Sequence, residues 1–165
     1  MARVKCSVID TSALLAGEQI LNLVAGHLFT TEQVKKEVKS MECTLKLEFL
    51  ESKGLVVLKA KQNYLKKVKE ALGPASGKLS TADLSVLALA LQLREEGYEP
   101  TVLTDDYAIR NSCNLLGLKW KPVRYRGILK TVKYVIRCKS CLRLFEENYA
   151  KCPVCGGEVE VVRKR

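Results

Sequence analysis

The sequence has no apolar run approaching the ~20 residues that a membrane-spanning helix needs, which excludes an integral helical membrane protein. Its first residues, MARVKCSVID, run straight into strand-like sequence, without the layout of a secretory leader. The expected location is therefore the cytoplasm, with no membrane partner. In a reducing compartment, seven cysteines read as metal ligands or buried thiols rather than disulfides. Histidine is nearly absent: His27 stands alone and reads as structural. A true P-loop is missing too. The stretch GPASGKLS is superficially similar, but its spacing is G-x-x-x-G-K-x-S and it joins helix to helix, where a P-loop must join strand to helix. It is the most flexible-looking part of the chain.

What remains is a globular composition, 47% hydrophobic over 165 residues. That length suffices for one ordinary core and a small module. The net charge of +10 is unevenly placed: residues 1–122 carry +3 and residues 123–165 carry +7. A basic segment of that density points to a polyanion, most often nucleic acid.

Short strands alternating with helices predict a parallel sheet covered on both faces. Val4, Cys6, Val8 and Ile9 form the first strand, which ends in Asp10 and passes at once into a small apolar helix. A carboxylate at a strand's C-terminal end sits at the mouth of an open α/β sheet, where ligands bind. Thr30 or Thr31 caps the next helix, whose core face is predicted to hold Val34, Val38 and Met41. Glu37 falls beside that stripe, and its alternative reading is an ordinary exposed glutamate between Lys36 and Lys39. The helix from Ser80 is apolar on nearly every side between Leu84 and Leu93, so it belongs at the centre. Asp83 is both a capping-box acid for Ser80 and a candidate ligand at that helix's start. The strand TVLT ends in Asp105 and Asp106, either of which can cap the following helix.

From Val123 the composition changes to a basic, β-branched, Tyr-rich segment. It leads into Cys138, Cys141, Cys152 and Cys155 with the spacing C-x₂-C-x₁₀-C-x₂-C. Two such hooks place four thiolates tetrahedrally around one structural Zn²⁺, and about forty residues rarely fold without such a staple. The predicted division is 1–123 for the α/β domain, 124–134 for a basic linker and 135–165 for a small β zinc ribbon. Arg124, Arg126, Lys130, Lys133, Arg137, Lys139, Arg143 and Lys151 are the candidate nucleic-acid contacts, with Tyr134, Phe145 and Tyr149 among them. Cys6, Cys43 and Cys113 have no nearby partner and read as buried thiols.

Each acid has a dull explanation alone. Together they follow an ordered layout: V-I-D-T-S-A-L-L, then T-x-x-V-x-x-E-V, then L-S-x-A-D-x-x-V-L-A-L-A, then L-T-x-D. Residues 4–123 in this layout resemble the PIN-domain nucleases. The basic linker, the Cys₄ ribbon and the strings T-D-D-Y-A-I-R-N and Y-R-G-I-L narrow the resemblance to the Nob-type endonucleases, in their compact archaeal form. The resemblance implies a PIN-like parallel sheet flanked by helices, and hydrolysis of precursor small-subunit rRNA to form its mature 3′ end. It implies Asp10, Glu37, Asp83 and Asp106 as ligands for catalytic Mg²⁺ or Mn²⁺, Asp105 assisting, and Thr11, Ser12 and Thr104 orienting the carboxylates. It also implies a KH-type assembly factor and the pre-ribosomal particle as partners. The alternative is a non-catalytic RNA-binding assembly factor on a PIN scaffold.

Overall fold

The structure, a computed structural model, describes residues 2–124 and 131–164. Five parallel strands form the main sheet: β1 (Val4–Ile9), β2 (His27–Thr31), β3 (Leu55–Leu58), β4 (Tyr98–Leu103) and β5 (Lys119–Lys121), in the order β3-β2-β1-β4-β5. β1 is central and pairs with both β2 and β4. The strand order therefore reverses beside β1, which opens a crevice at the carboxyl ends of the strands.

Helices cover both faces. α1 (Thr11–Leu14), α2 (Glu32–Glu37), α3 (Met41–Ser52), α4 (Gln62–Leu72), α5 (Thr81–Glu95) and α6 (Tyr107–Leu116) alternate with the strands, and 3₁₀ segments occupy Gly17–Asn22 and Gly73–Lys78. α5 buries an unbroken run from Leu84 to Leu93. It joins Val8, Val34, Val68, Val102 and Ile109 in the larger of two cores. The smaller core, on the other face, gathers Ile9, Leu14, Ile20, Leu47, Leu50 and Leu103. Among the described residues no helix is long and apolar enough to cross a membrane.

Two local expectations change. Met41 does not face the core; it is 78% exposed. The periodicity that placed it there runs through Val38, but α2 stops at Glu37, Val38 turns to extended backbone, and Ser40 caps a new helix through the Cys43 N–H. The phase is reset, and Met41 begins a fresh turn on the outside. The stretch 73–80 also departs from its flexible appearance. Gly73–Lys78 is a 3₁₀ helix with Pro74 and Ala75 buried, because the C-terminal module packs on it.

That module is a three-stranded antiparallel sheet of β6 (Tyr134–Cys138), β7 (Leu144–Phe145) and β8 (Val159–Arg163), in the order β7-β6-β8. The Asn148 amide donates to the Gly73 carbonyl at 2.8 Å. Lys78 lies 5.9 Å over the Tyr134 ring, and Tyr134 packs against the larger core. The expected linker residues Arg126 and Lys130, with the whole Y-R-G-I-L string, lie outside the described residues.

Exposure and burial on the helices give a direct test. Leu87→Ala, at a fully buried position of α5, should cost about 3 kcal/mol of stability through lost burial and the cavity left behind. Met41→Ala should change stability by under about 0.5 kcal/mol. Urea unfolding of the two variants checks both, and a large Met41 effect would refute its placement outside the core.

Candidate active site and metal centre

Asp10 follows β1 directly and is 2% exposed. Its carboxylate caps α1 by accepting from the Ala13 N–H at 2.7 Å. Ser12 donates its hydroxyl to both oxygens, at 2.8 and 2.9 Å, and Thr104, at the end of β4, donates a short hydrogen bond to Oδ2. Each hydroxyl is itself held from behind. The Asp105 N–H donates to Ser12 Oγ at 3.1 Å, and the Asp106 N–H donates to Thr104 Oγ1 at 3.0 Å. Adjacent strands thus deliver one carboxylate and the backbone that steers it.

The other acids stand around the same mouth. Glu37 is the last residue of α2, and its Oε2 accepts from Thr11 Oγ1 at 2.8 Å. It is exposed, not buried in the stripe beside which its periodicity put it. Asp83 closes a capping box, with the Ser80 N–H donating to its Oδ2 at 2.8 Å and its own N–H donating to Ser80 Oγ at 3.1 Å. Asp106 caps α6 through the Ile109 N–H at 3.1 Å. The adjacent Asp105 accepts instead from the backbone N–H groups of Val123 and Arg124.

Burial pushes the Asp10 carboxyl up to about 6, against the pull of Thr104, Ala13 and Ser12, and the Asp106 charge adds to the rise. Burial also raises Asp83, with Asp106 and Glu37 pushing the same way. The acids therefore feel one another across the crevice. Like charges that share a site this way are best satisfied by cations, and an all-oxygen set suits hard divalent ions.

Sequence reasoning did not find one supporting pair. Thr31 caps α2 through Val34 and meets Ser85 of α5 at 2.6 Å. A buried serine inside an apolar helix was the available signal.

The second centre is the cysteine cluster. Sγ–Sγ distances are 3.4 Å for Cys138 and Cys155 and 3.6 Å for Cys141 and Cys152, and all four sulfurs lie within 4.8 Å of one another. A tetrahedron with metal–sulfur bonds of about 2.3 Å has edges of roughly 3.8 Å, so the donor set fits a four-coordinate ion. Among the described residues it is the one group of three or more such ligands gathered this tightly. The Cys141 N–H points at the Cys138 sulfur at 3.4 Å, a hydrogen bond that favours its ligating thiolate.

The two hooks are built alike. Leu142 N–H bonds Cys138 O at 3.0 Å, as Gly156 N–H bonds Cys152 O at 2.9 Å, and Cys138 N–H bonds Arg143 O as Cys152 N–H bonds Gly157 O, both at 2.9 Å. Both turn residues have positive φ, 70° at Gly156 and 59° at Leu142. Among the described residues, Leu142 is the non-glycine residue that bears this conformation. Gly157 is fixed by crowding, since a Cβ there would approach Ser140 Oγ to 2.7 Å.

The candidate RNA contacts divide. Arg137 and Lys139 are paired with Glu160 and Glu158 across the small sheet. Arg124 donates to the Leu15 carbonyl at 2.7 Å. Lys133, Arg143 and Lys151 are exposed. Phe145 and Tyr149 pack edge to face, with centroids 5.5 Å apart. Cys6 and Cys113 are buried thiols as expected, whereas Cys43 is only half-buried.

A family model described as the PIN domain of ribonuclease matches residues 7–93. That stretch runs from β1 through the apolar core of α5 and sets the class. The chain is 37% identical to endoribonuclease Nob1 of Pyrococcus abyssi over 163 residues, 96% of this chain and 94% of the relative. It is 33% identical to endoribonuclease Nob1 of Archaeoglobus fulgidus over 165 residues, 99% of this chain and 94% of the relative. Ribonuclease VapC1 of Thermoplasma acidophilum is 34% identical over 155 residues, covering 93% of this chain and 76% of the relative. The chain belongs to the PIN-domain ribonucleases and, within them, to the Nob1 endoribonuclease family.

Two measurements follow from this geometry. The folded state holds the Asp10 proton more tightly than an unfolded aspartate with its ordinary value of 3.8. Without divalent metal, ionising Asp10 should therefore lower stability as pH rises from about 4 through 6, by about 3 kcal/mol in all. Asp10→Asn removes that titration. Wild type should gain stability relative to the variant as EDTA-treated samples go from pH 7 to pH 4.5, and a pH-independent difference in urea unfolding would refute the burial cost. Leu142→Gly should stabilise the small sheet by about 1 kcal/mol by relieving the left-handed backbone. Resistance to thiol modification at Cys141 under partial chelation reads this out.

Proposed function

We propose that this protein is a divalent-metal-dependent endoribonuclease that cuts precursor small-subunit rRNA to form its mature 3′ end, with the ribbon gripping the RNA. The observation that carries the nuclease reading is the Asp10 carboxylate, buried at the switch point of a parallel sheet and steered by Ser12 and Thr104. Three further acids, Glu37, Asp83 and Asp106, surround it. The Nob1 name of the relatives supports the rRNA target, and a KH-type assembly factor remains the partner that the family resemblance implies.

Asp10, Glu37, Asp83 and Asp106 would hold Mg²⁺ or Mn²⁺, and Cys138, Cys141, Cys152 and Cys155 would hold Zn²⁺. Bound at the carboxylates, a hard divalent ion supplies water activation and stabilises charge on the phosphate and the leaving oxygen. The residues do the positioning. Ser12 and Thr104 fix the plane of the Asp10 carboxylate, Thr11 holds Glu37 beside it through a 2.8 Å hydrogen bond, and the Ser80 capping box fixes Asp83. The closed sulfur set leaves no open coordination position, so that centre is structural. Exposed Lys133, just before β6, and Arg143 and Lys151 on the ribbon offer phosphate contacts of the kind that weaken steeply with salt.

Asp10→Asn should abolish cleavage of an rRNA 3′ fragment while preserving the fold. Saturating Mn²⁺, at about 100 times its Kd, should stabilise wild type by about 2.7 kcal/mol and the variant by much less. Full cleavage by the variant would leave only the scaffold role.

A further inference from the structure

The two neighbouring acids at the end of β4 face different partners. The Asp106 charge acts on both Asp10 and Asp83. The Asp105 carboxylate accepts from Val123 N–H at 2.8 Å and from Arg124 N–H at 3.1 and 3.0 Å. Those are the last two residues described before the chain leaves for the ribbon. The backbone of Asp105 is equally committed. Its N–H donates to Ser12, which holds Asp10. Its carbonyl accepts from Arg110 Nη2 at 2.9 Å, and that guanidinium is buried, 5.5 Å from the Trp120 ring centroid.

The far end of the interdomain segment is held by the same helix. The buried Asn111 amide donates to the Val132 carbonyl at 2.8 Å and accepts from the Val132 N–H at 2.5 Å. Asn114 donates to Thr131 Oγ1 at 3.1 Å and accepts from Trp120 Nε1 at 2.8 Å. Residues 105–114 therefore grip the chain where it leaves the main sheet and again where it enters β6.

We propose that Asp105 is a positioning residue rather than a metal ligand: it ties the outgoing interdomain segment to the Ser12–Asp10 network, so that RNA held by the ribbon is kept in register with the catalytic mouth. A carboxylate that accepts from Val123 N–H at 2.8 Å and from Arg124 N–H at 3.1 and 3.0 Å has its lone pairs largely committed to those bonds. Such a group makes a firm anchor and a poor donor to a metal. Asn111 and Asn114 supply the matching anchor on the ribbon side. The functional half of this inference rests on the nuclease reading; the anchor itself does not.

The test compares Asp105→Asn, Asp105→Ala and Asp106→Asn with wild type in the full chain. Asn retains a carbonyl oxygen for the Val123 N–H, so Asp105→Asn should keep KM for the rRNA 3′ fragment within about threefold, whereas Asp105→Ala should raise it about tenfold with kcat less affected. Direct Mn²⁺ titration should give wild-type affinity for both Asp105 variants and a loss for Asp106→Asn. Amide hydrogen exchange at Val123 and Arg124 should be about tenfold faster in Asp105→Ala. Loss of Mn²⁺ binding in Asp105→Asn to the level of Asp106→Asn overturns the proposal, as does unchanged protection of the two amides in Asp105→Ala. If wild type cuts no RNA, the nuclease reading fails while amide exchange still decides the anchor.

Discussion

A carboxylate buried at the end of a central strand is costly, and the arrangement around Asp10 follows from that cost. Burial in low dielectric disfavours its charge, and three donors, from Thr104, Ala13 and Ser12, offset only part of the penalty. Those donors come from two places, the start of α1 and the end of β4. They converge because β4 lies beside β1 in the sheet, although Thr104 is 94 residues away in sequence. A different strand order would leave the carboxylate without its strongest partner. The unpaid remainder is useful: a site that disfavours an isolated negative charge gains most when a cation arrives.

The segment after β4 performs several jobs in few residues. Thr104 steers Asp10, Asp106 caps α6 while adding charge to the crevice, and Asp105, Arg110, Asn111 and Asn114 hold the chain on either side of residues 125–130. This explains physically why the string T-D-D-Y-A-I-R-N goes beyond what a PIN sheet requires. A nuclease domain alone needs the aspartate and its cap; one that carries a ribbon in fixed relation also needs the anchors. The 3₁₀ segment Gly73–Lys78 shares that load, since Asn148 and Tyr134 of the ribbon settle on it. The same segment leads directly into Ser80 and Asp83, so the ribbon's seat adjoins the turn that aims an acid.

The features legible in the sequence were those set by local rules. Capping geometry at Ser80–Asp83, apolar periodicity in α5 and paired CxxC hooks each involve residues close together in the chain. Met41 was misplaced because a helical period was carried across a break, and nothing in V-K-S announces strongly that Val38 becomes extended. The stretch 73–80 looked loose because Gly, Pro and Ser mark turns, while its order comes from a module more than fifty residues later. The division of labour between Asp105 and Asp106 was beyond local reading. Both can cap a helix; the layout L-T-x-D picks out Asp106 by resemblance alone, and the return of Val123 and Arg124 to Asp105 is what separates the two in the structure. Leu142 was a repeat hidden by chemistry: it occupies the position of Gly156 in the second hook, with a side chain that disguises the match.

The carboxylate crevice and the C-terminal segment differ in charge, since residues 123–165 carry a net +7 from lysine and arginine. The oxygen site is a crevice of like negative charges, which repels the phosphate backbone it would have to cut until cations occupy it. The ribbon and its approach are basic, but Arg137 and Lys139 spend their charge on Glu160 and Glu158. Lys133, Arg143 and Lys151 remain exposed, and on the function proposed above attraction to a polyanion would fall to them. Attraction and chemistry therefore occupy separate parts of the molecule. Two parts joined by a flexible tether would share one RNA only through effective concentration, with no fixed distance between grip and cut. Hydrogen bonds at Val123 and Arg124, and again at Thr131 and Val132, would limit that freedom on the proposal made above. A chain that must cut at one phosphate gains more from such rigidity than from additional surface charge, because charge strengthens binding without choosing the position of the cut.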